Sequence, residues 1–389
     1  MRIFHLSDLH IGKQLHYYNL KDNQIDILKQ IVAKAKEYRP DVILIAGDIY
    51  DKSVPSAEAY AIFDQFLIEL SELTPSIPVL MIAGNHDSAE RLNYASTFLE
   101  KHHIYISVLP PQKEEEYLRK LVLKDEYGAV SFYLLPFTKP GYVRHLFEDG
   151  VVTSYDSAIK ALLEREAIDY GGRNVLLSHQ FYISGDQCPE TCESEQAYLS
   201  VGGVDSVDVS AIKQFDYVAL GHLHGSQSIG EKHIRYSGTP LKYSVSEEKY
   251  NKTITMVTMG AKGEEIRVET LELNALQDVR REQGTLNEII GRASDCNRND
   301  FLSIILTDEA ELFKPKDQLE EHYHYILEVR VENSRTRAQL ENTPEEASVL
   351  DPLEAFREFY QEMNREPMSL EEERLMAELI HSVKEGDIQ

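Results

Sequence analysis

Residues 42–51 read VILIAGDIYD, an apolar run of five followed at once by a glycine and two aspartates. An unbroken apolar run of this length is typical of a strand buried on both faces of a parallel sheet. Such sheets bind ligands in the crevice beyond the carboxyl ends of their strands. We therefore expect Asp48 to lie where a ligand would bind.

Four other apolar runs end in the same way. They are Ile3–Leu6, Val79–Ala83, Val175–Leu177 and Val218–Leu220, and they lead into DLH (8–10), GNHD (84–87), SH (178–179) and GHLH (221–224). Any one of these groups alone is more often a cap or a turn. Five of them at five strand ends predict that Asp, His and Asn side chains converge on one two-metal site.

Length and charge limit the class of protein. A chain of 389 residues fits one large domain with smaller appendages. Its net charge of −26 repels nucleic acid at long range, so a DNA substrate would need a local basic surface, metal ions or a partner. The three cysteines, Cys188, Cys192 and Cys296, give no disulfide framework and no second pair to complete a zinc site. Without a visible leader or an apolar run of about 20 residues, we expect a cytoplasmic protein that does not contact membranes.

The order of elements predicts an α/β fold. Residues 1–110 alternate strand and helix, with helices near 22–38 and 56–70, as in parallel β-α-β units. Further strands are predicted at 131–135, 175–177, 218–220, 234–236, 253–259 and 265–273, the last two as a hairpin, with a helix near 154–166. These elements favour two facing sheets with helices outside, a four-layer α-β-β-α sandwich over residues 1–275. A long polar loop at 181–203 is interpreted as a lid or contact loop.

The remaining chain predicts two smaller parts. Residues 276–340 resemble a small α+β capping domain, with a helix at 286–290 and strands at 301–306 and 325–331. Residues 341–389 are an acidic linker and two amphipathic helices, whose starts at Asp351 and Ser369 have capping-box form. We interpret this tail as a docking device for a partner helix; the alternative is that its helices pack on their own domain.

The residue types of the five groups suit phosphoryl chemistry. Carboxylate, imidazole and amide oxygen ligands suit manganese, iron or zinc. Two such ions roughly 3.5–4 Å apart clamp the attacking and leaving oxygens of an in-line phosphoryl displacement. Asp48 is the natural bridging carboxylate. His86 is placed to act as general acid, and Asp87 to orient its ring.

In this order the five groups resemble the calcineurin-like metallophosphoesterase superfamily. SDLHIG (7–12) and YSGTP (236–240) are similar, more narrowly, to the SbcD-type nucleases, the bacterial relatives of the eukaryotic double-strand-break repair nuclease. The resemblance covers about residues 1–275 and implies two metals, usually manganese. One would be held by Asp8, His10, Asp48 and His224, the other by Asp48, Asn85, His179 and His222.

The resemblance also implies a function. The implied function is that of the catalytic subunit of an ATP-regulated DNA nuclease. Its implied activities are 3′→5′ exonuclease action on double strands and endonuclease action on single strands and hairpins. The implied processes are DNA repair, recombination and replication. The implied partner is an SbcC-type ABC ATPase, whose coiled coil would be gripped by residues 341–389, in a heterotetramer containing a homodimer of this chain. The alternatives are a general metallophosphodiesterase or protein phosphatase, and a DNA-end tether that no longer cuts.

Several side chains beside the metal motifs are candidate DNA contacts. Basic and aromatic residues follow the first three groups and could bind phosphate or stack on bases, or could be ordinary surface residues. They are Lys13, Tyr17, Tyr18, Lys52, Arg91 and Tyr94.

Overall fold

The computed structural model describes residues 1–185, 187–196, 206–334, 352–364 and 367–385. Its strands, numbered β1 to β19 in chain order, are Arg2–Leu6, Gln14–Leu15, Tyr18–Asn19, Val42–Ala46, Val79–Ile82, Ile104–Ser107, Arg119–Asp125, Gly128–Leu135, Arg173–Ser178, Phe181–Ile183, Ser206–Asp208, Tyr217–Leu220, Gln227–Ile229, Glu231–Tyr236, Thr253–Thr258, Arg267–Glu272, Val279–Gly284, Phe301–Leu306 and Tyr325–Val331.

Its helices, α1 to α11, are Lys21–Tyr38, Ala57–Ser71, Ala89–Leu92, Ser96–Leu99, Pro140–Val143, Tyr155–Arg165, Glu193–Gln196, Leu286–Gly291, Pro315–Glu320, Pro352–Asn364 and Leu370–Glu385. The helices predicted near 22–38 and 56–70 are confirmed. The second begins after Ser56, whose side chain caps it by accepting from the Ala59 N–H.

Two six-stranded sheets form the body of the molecule. The first has the order β16-β15-β1-β4-β5-β6 and the second β13-β14-β12-β9-β8-β7. Strands β1, β4, β5 and β6 are parallel, as are β8, β9, β12 and β14, so that their carboxyl ends lie along one edge of each sheet. The predicted hairpin is β15 and β16, an antiparallel pair.

The layers are held by three apolar clusters. One lies between the sheets and includes Leu44, Leu80, Phe132 and Val175, all with no exposed surface. A second packs α1 and α2 on the outer face of the first sheet, and a third packs α6 on the second sheet. Burial on both faces explains why the strands of the sheet centres are continuously apolar. The predicted four-layer α-β-β-α arrangement is confirmed.

A third sheet, of order β17-β18-β19, contains the strands predicted at 301–306 and 325–331. It packs on the body through Tyr18, whose ring centroid lies 5.8 Å from that of Phe301 and 5.2 Å from that of Tyr325. Tyr18 also donates its hydroxyl to the carbonyl oxygen of Ile326 (3.3 Å). Tyr18, which we considered as a DNA-stacking residue, is thus engaged in packing.

The chain divides into two compact units. The first comprises Met1–Ile305 with Phe313–Arg330, and the second Leu306–Leu312 with Val331–Gln389. In the second unit α10 contacts α11, and the hydroxyl of Tyr360 donates to Glu372 (2.8 Å). The capping box predicted at Ser369 is confirmed by reciprocal hydrogen bonds with Glu372. The domain boundaries at 275 and 340 stay predictions.

Parts of three predicted features lie outside the described residues. They are Asp186 and residues 197–203 of the loop at 181–203, most of the acidic linker, and the helix start at Asp351. In the part of the chain that is described, no helix has both the length and the apolar character needed to cross a bilayer.

A buried ion pair lies in the second sheet, at the end opposite the ligand groups. The guanidinium of Arg173, 4% exposed, binds both carboxylate oxygens of Asp125 (2.5 and 2.9 Å). It also donates to the carbonyl oxygens of Gly128 and Gly260 (both 2.8 Å). Arg173 therefore joins the end of β7 and the starts of β8 and β9 within the second sheet. Its hydrogen bond to Gly260 links them to the connection between β15 and β16 in the first sheet.

Replacing Asp125 by alanine should lower the free energy of unfolding by about 3 kcal/mol, because it leaves the Arg173 charge buried without its carboxylate. The matched control is Lys262→Ala, which removes a partly exposed pair with Asp216 (2.9 Å) and should cost less than about 1 kcal/mol. Urea denaturation with a comparison of midpoints measures both. Equal losses in the two variants would show that the Arg173 pair is not a structural tie.

Candidate metal centre

The strand registers bring the predicted ligands to one place. Leu6 pairs with Ile45, and Ala46 with Ile82, so the loops after β1, β4 and β5 leave the first sheet at one level. In the second sheet Ser178 pairs with Leu220, which aligns the loops after β9 and β12. Five loops from two facing sheets therefore meet above the core between them.

Four of the residues predicted as ligands have left-handed backbone. The φ angles are 52° at Asp8, 42° at His10, 49° at Asp48 and 97° at His222, a region that costs a non-glycine residue of order 1–3 kcal/mol. Hydrogen bonds hold two of the loops in place. The His222 N–H donates to both oxygens of Asp8 (3.0 and 3.1 Å), and the His86 N–H donates to Oδ1 of Asp48 (2.9 Å). Backbone strain is therefore concentrated at the ligand loops.

Glycine is required at two points of close approach. A Cβ on Gly47, whose φ is +92°, would collide with the imidazole of His179. A Cβ on Gly221 would collide with the carbonyl oxygen of Ala46. The loops of the two sheets can approach only because these positions have no side chain.

The ligand atoms form one cluster around Asp48 and Asn85. Oδ2 of Asp48 lies 3.3 Å from Nε2 of His179 and 3.7 Å from Nε2 of His10. Oδ1 of Asn85 lies 3.0 Å from Nε2 of His179 and 3.0 Å from Nδ1 of His222. Asp48 thus lies between ligands predicted for each of the two metals, as a bridging carboxylate must.

The other two predicted ligands belong to the same cluster. Oδ1 of Asp8 lies 4.0 Å from Nε2 of His179, and the ring centroid of His224 lies 5.2 Å from that of His10. The structure therefore brings together all seven residues predicted as ligands. Their role as ligands stays a prediction.

The unsatisfied atoms of this cluster fit a divalent cation. Nδ1 of His179 lies 2.7 Å from the carbonyl oxygen of Ala46, so in the neutral ring Nδ1 donates and Nε2 presents a lone pair to Asn85 Oδ1. Both ring nitrogens of His10 are buried and have no hydrogen-bond partner among the described residues. Such orphaned groups cost about 1–3 kcal/mol each, and a cation bound by nitrogen and oxygen donors removes that cost.

The pKa values show how the cluster balances its charge without a cation. Burial lowers the pKa of His10 well below its usual value, and burial together with the charge of His179 lowers that of His222 to about 3. Burial would also lower the pKa of His179, but the carboxylates of Asp48 and Asp8 raise it to about 9. A proton on His179 therefore occupies the place of a metal's charge.

A buried network behind His224 was not predicted. Nδ1 of His224 lies 3.2 Å from Oε1 of Glu247, and the ammonium of Lys252 lies 2.6 Å from Oε2 of the same carboxylate. Glu247 has no exposed surface. A carboxylate on one ring nitrogen fixes the ring so that the other nitrogen can bind a metal. Glu247 is thus a positioning residue. Nothing in the sequence marks it, and it is recognised only from the burial of its charge in the structure.

Cys188 and Cys192, four positions apart in the sequence, differ in exposure. Cys188 is exposed, whereas Cys192 is buried, with donor atoms of Cys192, Glu195 and His224 within 4.8 Å of one another. Glu195 also accepts the backbone N–H of His224.

The two predicted catalytic residues occupy different positions. His86 lies at the edge of the cluster, with Nε2 4.0 Å from Oδ2 of Asp48 and Nδ1 2.8 Å from the carbonyl oxygen of Asp51. We expected Asp87 to orient this ring. Its carboxylate instead accepts three backbone N–H groups, from Ile49 (3.1 Å), Tyr50 (3.0 Å) and Gly84 (2.9 Å). Asp87 therefore joins the loops after β4 and β5.

The candidate DNA contacts are dispersed. Lys13 forms an ion pair with Asp51 (2.8 Å), Tyr17 is 91% exposed, and Arg91 lies on the surface in α3. Tyr94 is also exposed. Only Lys52 lines the cavity that adjoins the cluster.

That cavity, of about 660 Å³, has walls that sequence reasoning missed. It is bounded by Asn85, His86 and His222 and by a group of residues from the loops after β8 and β9 and from the start of α6. These are Phe137, Lys139, Tyr155, Gln180 and Phe181. The sequence could have identified part of this wall. PFTKP (136–140) follows the predicted strand 131–135, so it had to lie at the sheet edge where the ligand loops lie.

Binding of Mn²⁺ should strengthen as the pH rises from 6.5 to 9. His179 carries a proton over this range in the metal-free protein, and the proton must leave before Nε2 can bind a cation. Each displaced proton changes the affinity by about tenfold per pH unit. Calorimetric titration at both pH values tests this, and an affinity independent of pH would contradict it.

The stability of the metal-free protein should change in the opposite sense. Because folding raises the pKa of His179 from its ordinary value of 6.5 to about 9, the proton on this ring stabilises the folded state fully at pH values below 6.5. This contribution is lost as the pH rises through about 9. The rise in Tm caused by Mn²⁺ should therefore be larger at pH 9 than at pH 6.5.

Glu247→Gln should weaken Mn²⁺ binding by about 10- to 100-fold, because His224 loses the charged group that orients its ring. The matched control is the neighbouring Glu248→Gln, which should keep wild-type affinity. Calorimetry measures the affinity, and a thermal melt measures the loss of stability from leaving Lys252 buried opposite a neutral amide. Unchanged affinity in a folded Glu247→Gln protein would remove the positioning role.

The chain is similar in sequence to known protein families. The family model described as calcineurin-like phosphoesterase matches residues 1–226, and the model described as type 5 capsule protein repressor C-terminal domain matches residues 275–364. The SbcD subunit of nuclease SbcCD from Staphylococcus epidermidis is 34% identical over 331 residues, which are 84% of this chain and 84% of that protein.

Two solved structures show a weaker likeness. A dimetal phosphatase of Danio rerio is 12% identical with a TM-score of 0.41, covering 71% of this chain and 99% of that one. A putative 5′-nucleotidase of Staphylococcus aureus is 13% identical with a TM-score of 0.38, covering 71% of this chain and 54% of that one. The family models and the 34% identical relative are sufficient: the chain belongs to the calcineurin-like phosphoesterases and, within them, to the SbcD family of nuclease subunits.

Proposed function

We propose that this chain is the catalytic subunit of a DNA nuclease that hydrolyses phosphodiesters with two divalent metal ions. The observation that carries the proposal is the convergence of all seven predicted ligands beside a lysine- and aromatic-lined cavity. The similarity to a protein named as a nuclease subunit, over 84% of both chains, supports DNA as the substrate. Mn²⁺ is the metal that we propose.

The residues would divide between two metals as the family resemblance implies. Asp8, His10, Asp48 and His224 would hold one, and Asp48, Asn85, His179 and His222 the other. When bound, the two cations would supply positive charge for the phosphoryl group and make a water molecule more acidic.

His86 is the proposed acid for the leaving sugar oxygen. If its Nδ1–H donates to the carbonyl oxygen of Asp51 (2.8 Å), Nε2 is the nitrogen that carries the transferable proton. Oδ2 of Asp48 lies 4.0 Å from that nitrogen. The role of Asp87 is to fix the loop that carries His86, through its hydrogen bonds to Ile49, Tyr50 and Gly84.

The proposed biological setting follows the named relative. We propose 3′→5′ exonuclease activity on duplex ends and endonuclease activity on single strands and hairpins, in repair, recombination and replication. An SbcC-type ATPase would regulate access with ATP and would dock on residues 341–389, as part of an assembly with two copies of this chain. Exposed apolar side chains on α10 and α11, such as Phe359, Met363 and Leu379, suit a partner helix. The partner would also supply the basic surface that a chain of net charge −26 lacks.

The full chain with Mn²⁺ should cleave end-labelled hairpin DNA, and chelation should abolish cleavage. His86→Ala should lower kcat by about 10²- to 10⁴-fold, because the leaving oxygen loses its proton donor. Its affinity for Mn²⁺ should change little, since His86 is not one of the seven ligands. The control is His102→Ala, an exposed histidine outside the cluster. An active His86→Ala protein would refute the acid role.

The same assay separates the alternatives. Hydrolysis of a phosphopeptide but not of DNA would identify a protein phosphatase. DNA that is bound but uncut by the chain together with its ATPase partner would identify a tether. The labelled products of the wild-type reaction report the polarity of cleavage.

A further inference from the structure

The cavity beside the metal centre contains features that phosphodiester hydrolysis alone does not require. We propose that it is a subsite for one unpaired nucleotide, whose base stacks on the aromatic wall of Phe137, Phe181 and Tyr155 while Lys139 and Lys52 bind the adjoining phosphates. The inference rests on the proposed nuclease function and specifies its substrate as a strand with an unstacked nucleotide at the scissile phosphate.

The aromatic wall is next to the metal ligands. The ring of Phe137 lies 6.5 Å from that of His222 and nearly parallel to it (16°), and 6.2 Å from the ring of Tyr155. The ring of Phe181 lies 6.4 Å from that of His222 at 72°. A base on this wall would therefore adjoin a phosphate bound at the ligand cluster.

Tyr155 and Phe181 pack against the apolar cluster of the second sheet but are less buried than its members. Core aromatics of the sheets, such as Phe132 and Phe215, are at most 2% exposed. Phe137, Phe181 and Tyr155 are only partly buried, and all three line the cavity. Partly buried aromatic surface beside a charged site is suited to stacking on a base, because every base has an apolar face.

Two cavity lysines are available for phosphate. Lys52 and Lys139 are exposed, and neither has a carboxylate within 4.0 Å among the residues that the structure describes. Lys13, close by in sequence, is by contrast paired with Asp51 (2.8 Å). In a chain with 66 acidic residues and 40 basic ones, unpaired lysines at one cavity favour an anionic ligand.

A buried acceptor lines the same cavity. Gln180 has no exposed surface, and its Nε2 donates to the carbonyl oxygen of Thr138 (2.9 Å). Its Oε1 has no partner among the described residues. A buried unpaired carbonyl is unfavourable, and an amine of a base or a sugar hydroxyl would satisfy it.

The shape of the site determines the class of substrate. A cavity of about 660 Å³ is of the size that takes a single small ligand, not a stacked duplex. A base can enter only after it leaves its neighbours, and this costs least at a mismatched, frayed or single-stranded position. The subsite therefore favours frayed ends and single strands over paired duplex.

The test uses the full chain, Mn²⁺ and single-stranded oligonucleotides that differ at one position. An abasic tetrahydrofuran residue replaces, in turn, each nucleotide that flanks the scissile phosphate. At one of these positions the wild-type kcat/KM should be roughly tenfold higher with the base than without it. Phe181→Leu should bring this ratio close to one. The control is Phe98→Leu, an exposed phenylalanine outside the cavity, which should keep the ratio.

Lys139→Met should raise KM on both substrates and reduce the salt dependence of KM, because a phosphate contact is lost. Should Phe181→Leu fail to melt cooperatively, Tyr155→Leu provides the same comparison. Equal wild-type cleavage of the base-containing and abasic strands overturns the subsite and leaves the nuclease function standing. Absence of any DNA hydrolysis by the wild-type chain, with Mn²⁺ bound, overturns the nuclease function and the subsite with it.

Discussion

The buried carboxylate of Asp48 is the charge around which the site is organised. A buried carboxylate is stable only when hydrogen bonds and opposite charge surround it. Asp48 receives the backbone N–H of His86 and lies near the rings of His10 and His179. These partners come from loops of both sheets, so the sheets must hold their carboxyl ends in a fixed relation. The core between the sheets provides that rigidity, and it allows left-handed backbone to persist at Asp48 and its neighbours.

The same constraint connects stability to chemistry. Without a cation, the proton on His179 compensates the carboxylates, and the buried nitrogens of His10 remain unsatisfied. Glu247 and Lys252, both buried, hold His224 from behind. The cluster is thus arranged in advance for positive charge at its centre, which is the arrangement that stabilises a phosphoryl group during displacement.

Much of this could be predicted from sequence because buried parallel strands have a strong pattern. Apolar runs that end in Asp, His or Asn identified the ligand loops, and the parallel arrangement predicted their convergence. Strand β7, Arg119–Asp125, was not predicted, because it is an edge strand with only three apolar residues, flanked on both sides by charged ones. Glu247 lies 23 residues from His224 and belongs to no motif, so only the fold relates them. We expected Asp87 to orient the ring of His86, its neighbour in the sequence. Its carboxylate instead accepts hydrogen bonds from backbone N–H groups of two loops.

The most direct test of the two-metal centre is anomalous diffraction from crystals of the full chain grown with Mn²⁺. We predict two peaks about 3.5–4 Å apart, one on each side of the Asp48 carboxylate. One ion should contact His10 and His224, and the other His179 and His222. A single peak, or a peak at the Cys192, Glu195 and His224 group with none beside Asp48, would contradict it.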